Sequence, residues 1–144
     1  MQESLFASPE SGRFEFQRWP LYRKAVVFCS NANQLCSQLP REGMKAIGDQ
    51  LRRASHSIPL NIAEGSSRYS RNDKAHFLRI SRGSVFECVA ILDLLHAMGC
   101  AEEDRIDGLQ SDLSELGRML SGFIKHVEAN NPNMTGSSAR RVKD

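Results

Sequence analysis

The chain has 144 residues, 40% of them hydrophobic and 25% charged, with a formal net charge of +2. That length suits one domain able to bury a core without cross-links, and the composition is neither that of a disordered chain nor that of a polyanion-binding tail. The charge is uneven, however: residues 67–100 hold five Lys/Arg against three Asp/Glu, residues 101–130 hold three against seven, and residues 131–144 hold three against one.

The N-terminal stretch MQESLFASPESGRFEF has no basic start followed by an apolar run, so it does not read as a signal peptide. No apolar run of about 18 residues occurs, so no membrane span is expected and a cytoplasmic location follows. Residues 1–15, with their Ser, Pro and Gly, are expected to form a flexible arm. A bundle is expected over residues 16–130.

The spacing predicts a first helix from about Trp19 to Leu39. Its apolar positions, among them Leu21, Ala25, Phe28, Ala32 and Leu35, recur at three and four residues. Pro20 suits the first turn and Pro40 ends the helix. A second helix starts after Gly43, with Met44, Ile47, Leu51, Ala54, Ile58 and Ile62 as its stripe. Pro59 lies inside that stripe, removes a backbone donor and is expected to kink the helix. Gly65 offers a stop.

A third helix opens at Ser70, which forms an S-x-x-D capping box with Asp73. Phe77, Ile80, Ser81, Ser84, Val85, Cys88, Ile91, Leu92 and Leu95 are its expected core positions, and Gly99 closes it. A fourth begins at Glu102-Glu103-Asp104, acidic residues that favour a helix N-terminus. Its near-heptad seam runs through Ile106, Leu109, Leu113, Leu116, Leu120, Phe123, Ile124 and Val127. Asn130-Asn131-Pro132 stops it, and residues 131–144 form a polar tail expected to be disordered. Strand signals are absent. The expected fold is therefore all-α: an antiparallel up-down-up-down four-helix bundle.

The chemistry-bearing residues fall mainly between positions 50 and 90. Arg53, Ser57, Asn61 and Glu64 form a polar stripe beside the apolar stripe of the second helix, at about 100° per residue. Ser84 and Glu87 lie at the core edge of the third. Polar groups at a core boundary need partners, so Ser57, Asn61, Glu64, Ser84 and Glu87 are read as a network joining two helices or two subunits. Arg71, Arg79 and Arg82 fall within an arc of about 80° on the third helix. With Arg52, Arg53 and Arg68 they make a candidate surface for RNA, DNA or a nucleoprotein partner. No aromatic ladder accompanies these arginines in the sequence, so stacking on single-stranded bases is not expected.

The stretch SIPLNIAEGSSRYS, followed by FLRISRGSVFE, resembles a four-helix-bundle family. That family includes proteins encoded in intervening sequences of bacterial large-subunit ribosomal RNA genes and the accessory proteins of diversity-generating retroelements. Ser57, Ile58, Pro59, Asn61, Ile62, Ala63, Glu64 and Gly65 match its second-helix signature. Gly83, Ser84 and Glu87 match its third-helix G-S-x-x-E. The resemblance spans roughly residues 14–128. It implies a ring-like homo-oligomer, a pentamer, with no enzyme activity, and retroelement relatives that bind a reverse transcriptase and nucleic acid.

An enzymatic alternative rests on Arg71 and His76, whose R-x4-H spacing resembles the motif of dimeric helical ribonucleases of the HEPN type. A carboxylate-bridged metal site needs Glu-x-x-His pairs on facing helices. Glu64 is followed at that spacing by Ser67 and Glu87 by Ala90, so no metal or cofactor is expected. His56, His96 and His126 stand alone. Cys29, Cys36, Cys88 and Cys100 form no C-x-x-C pair and read as reduced, core-type thiols. The reading that results is a non-enzymatic, self-associating binding or scaffold protein.

Overall fold

The structure is a computed structural model that describes residues 6–129, so the expected tail over 131–144 lies outside the described residues. A short 3-10 turn, Glu15–Arg18, leads into four helices: α1 Pro20–Gln38, α2 Arg41–Ser66, α3 Arg71–Ala97 and α4 Glu103–Ala129. Among the described residues none forms a strand.

Each helix follows from its apolar period. α1 buries Leu21, Ala25, Phe28, Ala32, Leu35 and Cys36, with Pro20 in its first turn. Leu39, extended because Pro40 follows it, ends the helix. α2 departs from helical angles at Glu42 (ψ 121°) and Gly43 (φ 80°), so its regular part starts after Gly43 as expected. Pro59 is buried inside it. Ser70 caps α3 by accepting the Asp73 amide at 3.0 Å, and Gly99 (φ 68°) takes the left-handed turn beyond its end. α4 buries the seam from Ile106 to Val127 except Phe123, which is half-buried at its edge.

The cross-helix contacts fix the register. Cys29 meets Ser55 and Cys36 meets Gly48; Lys74 meets Ser66 and Ser81 meets Ile58; Gln110 meets Val89 and Arg82 meets Ser121; Lys24 meets Glu115 and Arg105 meets Gln38. In each pair the numbers rise along one helix as they fall along the other. Each helix therefore runs antiparallel to those it packs on, and α1 closes on α4. One core results, with Phe28, Leu51, Ile58, Leu92, Leu113, Leu116 and Leu120 shut off from water. Burying each such side chain is worth about 1.5–3 kcal/mol.

Two sequence expectations are corrected. Ile80 is 39% exposed and Phe77 half-buried, because the helix turns them to the margin of the core stripe. Gly65 does not stop α2, which continues to Ser66. A Cβ there would sit 3.3 Å from the Lys74 carbonyl oxygen and from the Phe77 Cβ, so the glycine serves the close approach of α2 to α3. At the N-terminus, Arg23 donates to the carbonyls of Ser8, Pro9 and Ser11, which tie residues 8–11 to α1.

Candidate functional site

The α2–α3 seam carries part of the expected polar network. Ser84 Oγ and Ser57 Oγ are 2.7 Å apart, a hydroxyl pair bridging the two helices. Asn61 donates its amide to Ser57 Oγ at 2.9 Å and to the Ser57 carbonyl at 2.8 Å. Ser84 also meets the Ile80 carbonyl at 3.2 Å. The structure thus brings Ser57, Asn61 and Ser84 together. Glu64 and Glu87 are exposed and stand outside the cluster, and Glu64 pairs instead with Arg68 one turn on. Both carboxylates border the seam without entering it.

Two further contacts between helices were not legible as site features. Ser81 Oγ, fully buried, donates to the Ile58 carbonyl at 2.9 Å. Cys29 Sγ approaches the Ser55 carbonyl at 2.9 Å. Pro59 has no amide hydrogen for the carbonyl four residues back, and that carbonyl belongs to Ser55. The thiol supplies the donor that the proline lacks. Burial pushes the Cys29 thiol up to about 11 despite this bond, and pushes Cys88 up to about 12. Cys36 is raised for the same reason. Thiols held protonated in this way are poor nucleophiles.

The six expected arginines do not form one free cationic face. Arg52 pairs with Asp49 and also reaches Asn33. Arg68 pairs with Glu64 and lies 4.6 Å over the Phe77 ring. Arg79 pairs with Glu128 of the acidic α4, and Arg82 donates to Ser121. Arg53 and Arg71 make no such contact among the described residues. Partners contributed by α4 are what the local charge count over 67–100 had hidden. Arg71 and His76 are both exposed on α3, but five residues place them about 140° apart around the helix. They do not converge within one chain. No cluster of His, Cys, Asp and Glu suited to a metal occurs among the described residues.

At the end of the bundle where the 3-10 turn meets the α2–α3 loop and the last turns of α4 lies a cleft of about 780 Å³. Phe14, Phe16, Trp19, Tyr69 and Phe123 contribute rings to its walls; Arg71 and Lys74 contribute cations, His126 an imidazole and Glu15 a carboxylate. Trp19 packs edge-on against Phe123 at 5.1 Å. Sequence reading missed this site because its rings come from three separated segments. The signal available is the run Phe14-x-Phe16-x-x-Trp19, which spans the expected arm and its junction with the bundle.

The described residues thus form an all-α four-helix bundle with a hydroxyl-lined seam between α2 and α3. The chain belongs to the 23S rRNA-intervening sequence protein family, which matches residues 17–122. That span contains both sequence signatures. A crystal structure of a protein of unknown function from the S23 ribosomal protein family of Bacteroides thetaiotaomicron superposes with a TM-score of 0.69 at 24% identity. The match covers 73% of this chain and 98% of that one. At this identity the likeness concerns the fold. No curated protein matches the chain.

Proposed function

We propose that the chain is a non-enzymatic scaffold that self-associates through the outer faces of α2 and α3. The observation that carries this reading is the distribution of exposed apolar side chains. Leu60 on α2, Ile80, Phe86 and Leu94 on α3, and Met98 at the end of α3 are all 39% exposed or more, whereas α1 and α4 expose no large apolar side chain to that degree. Ile80, Leu94 and Met98 fall within about 40° of one another on α3, on the side next to Ser84. Leu60 lies one turn from Ser57. The apolar strip therefore adjoins the Ser57–Asn61–Ser84 cluster, with Glu64 and Glu87 as polar neighbours. An apolar strip rimmed by polar groups has the make-up of a protein–protein interface.

The occupant in this reading is a second copy, and a closed ring of five is the assembly that the sequence resemblance implies. The four free cysteines fit a reducing, cytoplasmic setting. Chemical cross-linking tests the surface. The wild type is expected to give a ladder of multimers and Ile80→Asp/Leu94→Asp a monomer band; equal ladders from both proteins would remove α3 from the interface.

Contact with nucleic acid or a nucleoprotein is a weaker second reading, favoured only by the unpaired Arg53 and Arg71. Assembly would repeat them around a ring, and avidity can then raise affinity by about 10²–10⁴. Such binding should fall steeply with salt. Fluorescence anisotropy of labelled RNA at two salt concentrations, with Arg53→Glu/Arg71→Glu as comparison, tests it.

A further inference from the structure

The geometry points to the cleft at the bundle end as a nucleotide site, with the base among its rings and the phosphate at Arg71 and Lys74. Five of the chain's ten aromatic residues line this one cavity. Two of them are left largely to solvent: Phe14 is 64% exposed, and Tyr69 is as open as a residue in an extended chain, at 102%. A ring in water forgoes its burial energy, and a flat ligand laid against it would recover that energy. The volume, about 780 Å³, lies within the range of small-molecule sites, about 300–1,000 Å³.

Charge narrows the ligand class. Arg71 stands in the first turn of α3, where exposed backbone amides already favour an anion, and it makes no ion pair or hydrogen bond among the described residues. Lys74, one turn on, reaches only the Ser66 carbonyl, at 3.5 Å. Glu15 is the one carboxylate in the lining, so the wall is cationic on the α3 side. Rings and two unneutralised cations in one lining fit a planar aromatic group carrying phosphate. A planar base alone would leave the cations unused, and inorganic phosphate alone would leave the rings unused. The site would accept different bases similarly, because every base has a face to stack and no base-reading amide or carboxamide lines the cleft.

The same chemistry is offered by a free nucleotide and by the phosphorylated 5′ end of a single strand. The cleft is built by one chain, so the inference stands or falls apart from self-association. Trp19 is the chain's single tryptophan and lies in the wall, so its fluorescence reports on occupancy directly. The experiment titrates the full-length protein with AMP, adenosine, inorganic phosphate, and a short RNA with either a 5′-phosphate or a 5′-hydroxyl. AMP is expected to change Trp19 emission saturably, with adenosine and phosphate each at least about tenfold weaker. Arg71→Ala/Lys74→Ala should reduce AMP to the adenosine level, and Tyr69→Ala should weaken AMP and adenosine alike. Arg71 and Tyr69 are exposed, so the single variants Arg71→Ala and Tyr69→Ala test the same point without loss of the fold. A 5′-phosphorylated RNA tighter than AMP, with its 5′-hydroxyl counterpart weak, would identify the strand end as the source; AMP at least as tight would identify the free nucleotide. No saturable response at millimolar AMP, or equal AMP binding by wild type and the Arg71 variants, would overturn the assignment.

Discussion

The Cys29 thiol sits 2.9 Å from the Ser55 carbonyl oxygen, the acceptor left without its helical donor by Pro59. α1 therefore completes a hydrogen bond that α2 cannot make for itself. The pair predicts a specific coupling. Cys29→Ala should destabilise the bundle by about 1–3 kcal/mol, because a buried acceptor loses its donor. In a Pro59→Ala background, where the amide of residue 59 is restored, the same change should cost clearly less. Urea titrations of the four proteins give the coupling. Equal costs in both backgrounds would mean that the thiol contributes only packing.

The hydroxyl pair across the seam makes a smaller prediction. Ser84→Ala should cost about 0.5–1.5 kcal/mol, and Ser57→Ala should cost less in that background than in the wild type, since there only its bond from Asn61 remains to be lost. Additive losses in the same titration would show that Ser57 and Ser84 act independently.

The buried thiols predict a dependence on pH. Folding raises Cys29 from its ordinary 9.0 to about 11 and Cys88 to about 12, by burial in both cases. Above pH 9 the unfolded chain releases these protons while the folded one keeps them. Stability is thus fully present below pH 9 and is lost as pH rises toward 11–12. Cys29→Ala and Cys88→Ala should each flatten this alkaline fall in a series of thermal melts. A fall unchanged in both variants would assign it to other groups.

Much of the fold was legible because it rests on local patterns. The three-and-four spacing of Leu21, Ala25, Phe28 and Ala32 gave α1, and Pro20 and Pro40 bounded it to within a residue. Ser70 and Gly99 marked the ends of α3 for reasons that the dihedral angles repeat. What escaped depends on the packing of distant segments. Nothing near Arg79 in sequence announces Glu128, so the arginine surface looked freer than it is. Gly65 read as a helix stop because a glycine needed for close approach carries the same letter. Ile80 fitted the apolar period but falls at its margin, 39% exposed. The cleft was hidden for the same reason: Trp19, Tyr69 and Phe123 share it only after folding.

Core packing gives the most direct check on the bundle itself. Leu51 and Leu116 are both completely buried, on α2 and α4. Leu51→Ala and Leu116→Ala should each cost about 2–5 kcal/mol in denaturant titrations, the range for a cavity that neighbours fill only in part. A cost below about 1 kcal/mol would put that side chain outside the core.

Self-association is the central claim, and the mass of the particle in solution tests it most directly. Light scattering on the wild type at micromolar concentration should return a multiple of the 16.1 kDa chain, five-fold for the ring that the sequence resemblance implies. Ile80→Asp/Leu94→Asp should return 16.1 kDa from a chain that is still helical. A wild-type mass of 16.1 kDa at every concentration tried would contradict the scaffold reading and leave the apolar strip on α2 and α3 for a different protein.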